Sequence, residues 1–180
     1  AEDLRIDGSR AGLGPGGRYT VRELLAGLLL NSGNDAAAAL SRALGGDAVT
    51  VAAMADAAAA LGALDTRPAT PSGLDGPGSA TSAYDLVLLY RAALREPLFG
   101  PTLALPSIPF PGYADMPGFT LSNSSRFLAR YPGALGGKTG FTEAARHTFV
   151  GHAERDGRRL AVAVMRGEQA PVRVTAQVAA

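Results

Sequence analysis

The spacing of apolar residues along the chain changes once, from a helical period to a strand period. In the first half Leu24, Leu25, Leu28 and Leu29 follow Thr20 and Glu23. The Thr-x-x-Glu pair has capping-box spacing, so a helix is predicted from about Val21 to Leu30. Asn31-Ser32-Gly33-Asn34 breaks that pattern with turn formers, and the alanine-rich stretch Asp35 to Leu44 predicts a second helix that stops at Gly45-Gly46. Ser32 therefore falls on a connection between two helices. A third helix is expected from the cap candidate Asp47 to near Gly62, and a fourth from near Ser82 to before Pro97, with Pro68 to Gly78 as a loop between them.

From Pro97 to Pro117 lie six of the chain's 12 prolines, which predict an irregular excursion or a sheet edge. Beyond it Phe119 to Asn123, Leu135 to Thr142, His147 to Ala153 and Leu160 to Met165 read as strands, with Asp156-Gly157 as a hairpin turn and a helix expected from Pro171. Leu4-Arg5-Ile6-Asp7 at the start reads as a strand end or loop before a glycine-rich turn. Helices first and an antiparallel sheet afterwards is the α+β order. We expect one partial domain over 1–180, helical over about 19–95, with a sheet and terminal helix over about 119–180. A sheet built from Phe149, Val150, Leu160, Val162 and Val164 is apolar on both faces, so additional cover is expected from upstream of Ala1.

Composition narrows the function classes. At 180 residues and 47% hydrophobic the chain can bury a sizeable core. Its net charge of +1, with no basic cluster, favours neither nucleic acid nor an anionic membrane surface. No cysteine is present, which removes thiolate nucleophiles, disulfides and zinc-thiolate sites. The apolar run Leu24 to Leu30 is too short to span a bilayer, and the opening residues do not read as a leader or membrane segment. Of the 17 Lys and Arg residues only Lys138 is lysine, which marks a place where a compact ammonium is wanted in place of a guanidinium fork.

Two short constellations carry chemistry. Ser32-Gly33-Asn34-Asp35 lies on the interhelical loop, and Gly136-Gly137-Lys138-Thr139-Gly140 opens a strand. Alone, each has a plain alternative: a turn and helix cap for the first, a glycine-softened strand entry for the second. Together, a Ser-x-Asn on a helical loop and a Lys-Thr-Gly on a strand resemble two of the three elements lining the cleft of penicillin-recognising serine enzymes. Tyr19 to Leu25, Leu30 to Ala37, Pro71-Ser72-Gly73-Leu74, Gly137 to Thr142 and Gly157 to Leu160 extend the resemblance across nearly the whole chain. In them the chain is similar to the D-alanyl-D-alanine carboxypeptidases, the serine-type low-molecular-mass penicillin-binding proteins.

That resemblance implies a β-lactamase/transpeptidase-like fold, an antiparallel sheet packed with helices plus an all-helical subdomain. It implies an extracytoplasmic hydrolase that removes the terminal D-alanine of peptidoglycan stem peptides through an acyl-enzyme, with no metal or organic cofactor. Ser32 would relay a proton to the departing amine, Asn34 would hold the substrate amide and the lysine, and Lys138 would supply positive charge beside Ser32. Thr139 would donate to the substrate carboxylate, Gly140 would let the substrate approach, and the Phe141 N–H would be an oxyanion donor. Arg173, 35 positions beyond Lys138, stands where the family places an arginine for that carboxylate, a solvated helix-cap role being the alternative.

The third element of the family, Ser-x-x-Lys, does not occur: with Lys138 the only lysine it would need serine at 135, which is Leu135. In the family that serine is acylated and its lysine is the base. We therefore expect the first strands, the nucleophile helix and with them β-lactam acylation to come from upstream residues, and this chain alone to be inactive. Three other readings stand beside this one: a non-catalytic relative that binds stem peptides or a partner, a class A-like β-lactamase, and Ser32 itself as nucleophile. The second is disfavoured because Leu61 to Ala80 holds no glutamate. A phosphate-binding loop fails because Pro132 occupies the required glycine, and His147 and His152, five apart on one strand, should face opposite sides and share no metal.

Overall fold

A computed structural model describes residues 7–168. The order of elements is α1 (Val21–Asn31), α2 (Asn34–Ala43), α3 (Asp47–Ala60), α4 (Ala83–Ala93), α5 (Phe99–Leu103), β1 (Ser107–Phe110), β2 (Phe119–Ser122), α6 (Phe127–Arg130), β3 (Ala134–Thr142), β4 (Arg146–Arg155) and β5 (Arg158–Gly167). The terminal helix expected from Pro171, the Leu4 to Ile6 piece and Arg173 lie outside the described residues.

The caps explain where the helices begin. Thr20 and Glu23 form a reciprocal capping box at α1, with Thr20 N donating to Glu23 Oε2 at 2.7 Å and Glu23 N to Thr20 Oγ1 at 3.2 Å. Ser82 caps α4 by accepting from Asp85 N at 3.1 Å. Asp47 is not the cap of α3: Gly46 holds that place, and Asp47 is the first helical residue, where its Oδ1 accepts from Ser41 Oγ and joins α2 to α3. Helix α1 ends at Ser32, whose φ of 58° is left-handed and turns the chain directly into α2.

The proline-rich stretch is more regular than its composition suggests. Pro101 falls within the first turn of α5, where a missing N–H costs little, and Pro109 lies in β1 opposite Thr120 of a small two-stranded sheet. Only an edge of this kind tolerates it. Strand β2 therefore pairs with β1 and does not join the main sheet, which is the antiparallel meander β3-β4-β5.

Three apolar clusters hold these pieces together. Leu24, Ala36, Ala39, Phe110 and Leu121 join α1 and α2 to the small sheet. Leu29, Tyr90 and Leu103 receive Val150 and Ala161 from one face of the main sheet, whereas Phe127 and Phe149 gather Val162 and Val164 on the other. The second cluster decides the site, because it fixes the end of α1, and hence Ser32, against the face of the sheet that carries Lys138. Among the described residues no single helix is long and apolar enough to cross a membrane.

Candidate active site

Ser32 and Lys138 are 106 positions apart and meet in the structure. Lys138 Nζ donates to Ser32 Oγ at 2.5 Å and to the carbonyl of Thr139 at 2.5 Å. Ser32 sits in the left-handed turn that separates the two helices. Gly33 lets the entry segment pack against this turn, since a Cβ there would stand 2.7 Å from Ala11 Cβ and 2.8 Å from its nitrogen. Burial pushes the Lys138 ammonium down from its ordinary 10.5 to about 8. A lysine at that value can give or take a proton near neutral pH, and the hydroxyl beside it can pass one on.

Asn34 takes a different course. It is buried at the head of α2, and its Nδ2 donates to the Asp7 carbonyl at 2.7 Å. Its amide therefore braces the segment before α1, and its bond to that carbonyl occupies part of the donor capacity expected to serve the substrate. Thr139, Gly140 and Phe141 line a cleft of about 510 Å³ together with Ser32 and Asn34. Ser72, Gly73 and Leu74 line it as well. Next to them in sequence, Asp75 accepts from Thr142 Oγ1 at 2.7 Å and from the Ala144 N–H at 3.4 Å.

The most consequential residue that sequence reasoning passed over is Asp35. Its fully buried carboxylate accepts from the backbone N–H groups of Ala11, Gly12 and Leu13 at 2.7, 3.0 and 3.0 Å, and from its own neighbour Ala36 at 2.9 Å. It thereby binds the glycine-rich entry segment to the loop that carries Ser32 and Asn34. His152, which the sequence disfavours as a metal ligand, takes a place in the core. Its Nδ1 lies 2.9 Å from the Tyr90 hydroxyl, which donates to the Gly136 carbonyl at 3.1 Å. The Tyr90 hydroxyl has one proton for two partners, and the direction of its bond to His152 follows the imidazole tautomer. This pair fixes α4 against the start of β3, two residues before Lys138. The two histidines do not share a site: His147 lines the cleft, whereas His152 is buried beneath α4. Among the described residues no group of three His, Asp or Glu is placed to hold a metal.

Comparison with known proteins agrees with this architecture. The chain is 53% identical over 167 residues to the D-alanyl-D-alanine carboxypeptidase DacB2 of Mycobacterium tuberculosis, covering 92% of this chain and 57% of that protein. It is 33% identical over 181 residues to DacF of Bacillus subtilis, covering 96% and 44%. It thus spans about half the length of these relatives. The crystal structure of a D-alanyl-D-alanine carboxypeptidase from Mycobacterium tuberculosis superposes with a TM-score of 0.88 at 51% identity, over 94% of this chain and 64% of that one. A Streptomyces DD-transpeptidase gives 0.88 at 27% identity, over 94% and 70%. The fold is that of the DD-peptidases, helices packed on antiparallel sheet. With the family profile for D-alanyl-D-alanine carboxypeptidase matching residues 2–169, the chain belongs to the D-alanyl-D-alanine carboxypeptidase family.

Proposed function

We propose that the gene product to which these residues belong is a serine-type D-Ala-D-Ala carboxypeptidase of peptidoglycan maturation, acting outside the cytoplasmic membrane and acylated by β-lactams. The contact between Lys138 Nζ and Ser32 Oγ supports this reading most directly. Ser32 passes a proton to the departing D-alanine amine, and the lysine, poised near pH 8, keeps that hydroxyl polarised and attracts the substrate carboxylate. The Thr139 hydroxyl and Arg173 donate to the carboxylate, and the Phe141 N–H to the developing oxyanion. Asn34 orients the loop, and Gly140 keeps the strand open to the substrate. The serine to be acylated and its lysine partner, Ser-x-x-Lys in the family, have no counterpart in this sequence. The 1–180 stretch then contributes two of the three elements of one domain.

A second reading is favoured by the same contact: Ser32, with a lysine of lowered pKa against its hydroxyl, has the arrangement of an activated nucleophile. Intact-protein mass after incubation with benzylpenicillin separates the two. We expect an adduct on the full gene product at a serine outside 1–180, and none on the 180-residue chain. An adduct at Ser32 in the short chain would replace the first reading by the second, and no adduct on the full product would leave a peptide-binding relative.

A further inference from the structure

No run of basic residues marks the sequence, yet folding gathers three arginines around one recess of about 250 Å³ between α4 and the main sheet. Arg91 lies in the last turn of α4 and Arg95 four positions on, so the two share one side of the helix end. Arg159 comes from the start of β5. The register pairs Arg159 with Glu154 and Ala161 with His152, and alternate residues of a strand share a face, so all four stand on the side of the sheet against which α4 packs. Neither Ser32 nor Lys138 lines this recess, and it has no lining residue in common with the cleft.

The positive charge there is largely unopposed. Arg91 and Arg95 make no hydrogen bond or ion pair among the described residues, and Glu96, the acid next to Arg95 in sequence, forms none with it. Arg159 is held by Glu154, with Nε at 3.0 Å and Nη2 at 2.7 Å from a single carboxylate oxygen, which leaves the other N–H groups of its fork unused. That pair is exposed and correspondingly weak. The C-terminal end of α4 attracts Arg91, but about half an elementary charge does not neutralise two guanidiniums. Burial holds His152, in the wall of the recess, below its ordinary 6.5, and the Arg159 charge adds to that against the bond to Gly136.

Guanidinium forks take carboxylates and phosphates in the same bidentate manner, and charge chooses between them. Two unpaired guanidiniums match a dianion, which a phosphomonoester supplies and a single carboxylate or a phosphodiester does not. Volume limits the rest of the ligand. The recess is smaller than pockets that enclose drug-sized molecules, and Leu94 with Ala161 offers carbon surface for a short stem only. We propose that Arg91, Arg95 and Arg159 form a binding site for the phosphate of a small phosphomonoester, borne by a free molecule or by a lipid headgroup. Bound there, the phosphate ties α4 to β5 at a place separate from the peptidase cleft.

Isothermal titration of the full gene product with glycerol 3-phosphate, and with acetate at matched ionic strength, tests the site. We expect saturable binding of glycerol 3-phosphate, about tenfold or more tighter than acetate, and a loss of about tenfold or more in Arg91→Gln/Arg95→Gln. Both arginines are exposed, so the double variant should keep the wild-type melting temperature, and glycerol 3-phosphate should raise that temperature in the wild type alone. Arg22→Gln removes the same charge outside the recess and should leave binding unchanged. Co-sedimentation with phosphatidylcholine vesicles containing phosphatidic acid, which bears the same monoester, assigns the source. Retention that the double variant loses places the phosphate on a lipid, whereas titration without retention places it on a free molecule. No binding to either probe, binding that survives the double substitution, or an equal loss in Arg22→Gln overturns the site. Equal affinity for acetate overturns its assignment to phosphate.

Discussion

Individual side chains in this chain pull stability and chemistry in opposite directions, and Lys138 shows it most clearly. Burial lowers its pKa from 10.5 to about 8. The unfolded chain therefore binds the proton more tightly between those values, so the cost of burying the ammonium is fully present below about pH 8 and is relieved as pH rises towards 10.5. Lys138→Met should consequently raise stability at pH 7, by about 1–2 kcal/mol after allowance for partial solvent contact, while removing the proposed activity. Urea denaturation at pH 7 and pH 10 measures this, with the gain expected to shrink at the higher pH. Asp35 behaves in the opposite manner. Asp35→Asn presents an amide nitrogen to backbone N–H groups that now find a carboxylate, and should cost about 3 kcal/mol in the same experiment.

Between elements, much of the precision of the site comes from one buried pair. Tyr90 of α4 reaches both His152 of β4 and the Gly136 carbonyl of β3. Tyr90→Phe removes the partner of a buried imidazole nitrogen and a donor to the Gly136 carbonyl, and should cost about 2 kcal/mol by thermal denaturation at pH 7. Burial also holds the His152 pKa below its ordinary 6.5, the bond to Gly136 opposing and the Arg159 charge reinforcing that shift. As pH falls below 6.5 the unfolded chain takes up this proton first, so stability should be lost on acidification through the same window. Secondary structure was legible at this level because caps and periods are local. Thr20 with Glu23, Ser82 with Asp85, and Asp156-Gly157 each bond or bend within a few residues. The proline-rich stretch was not legible, because whether Pro109 can sit in a strand depends on which strand lies beside it and whether its nitrogen faces a partner.

Across the whole molecule, a helical wall and a sheet meet along the cleft, and contacts between distant parts of the chain define it. Asp75 ties the 71–78 loop to the β3–β4 turn, Ser124 N and Oγ both donate to the Leu30 carbonyl at the end of α1, and Asn123 Nδ2 donates to the carbonyls of Leu103 and Leu105. Alternating apolar residues, turn formers and the two short motifs were enough to specify the four long helices, the strands from Phe119 onwards, the α+β order and the family resemblance, because each of these is written in neighbouring residues. That Ser32 and Lys138 touch, that Asn34 turns towards Asp7, that Asp35 gathers three N–H groups from the entry segment and that Arg91, Arg95 and Arg159 line one recess were decided only when the chain closed on itself. Those interactions join groups up to 106 positions apart, often through backbone atoms that every residue possesses. No local pattern can encode them; packing of the three apolar clusters sets the distances.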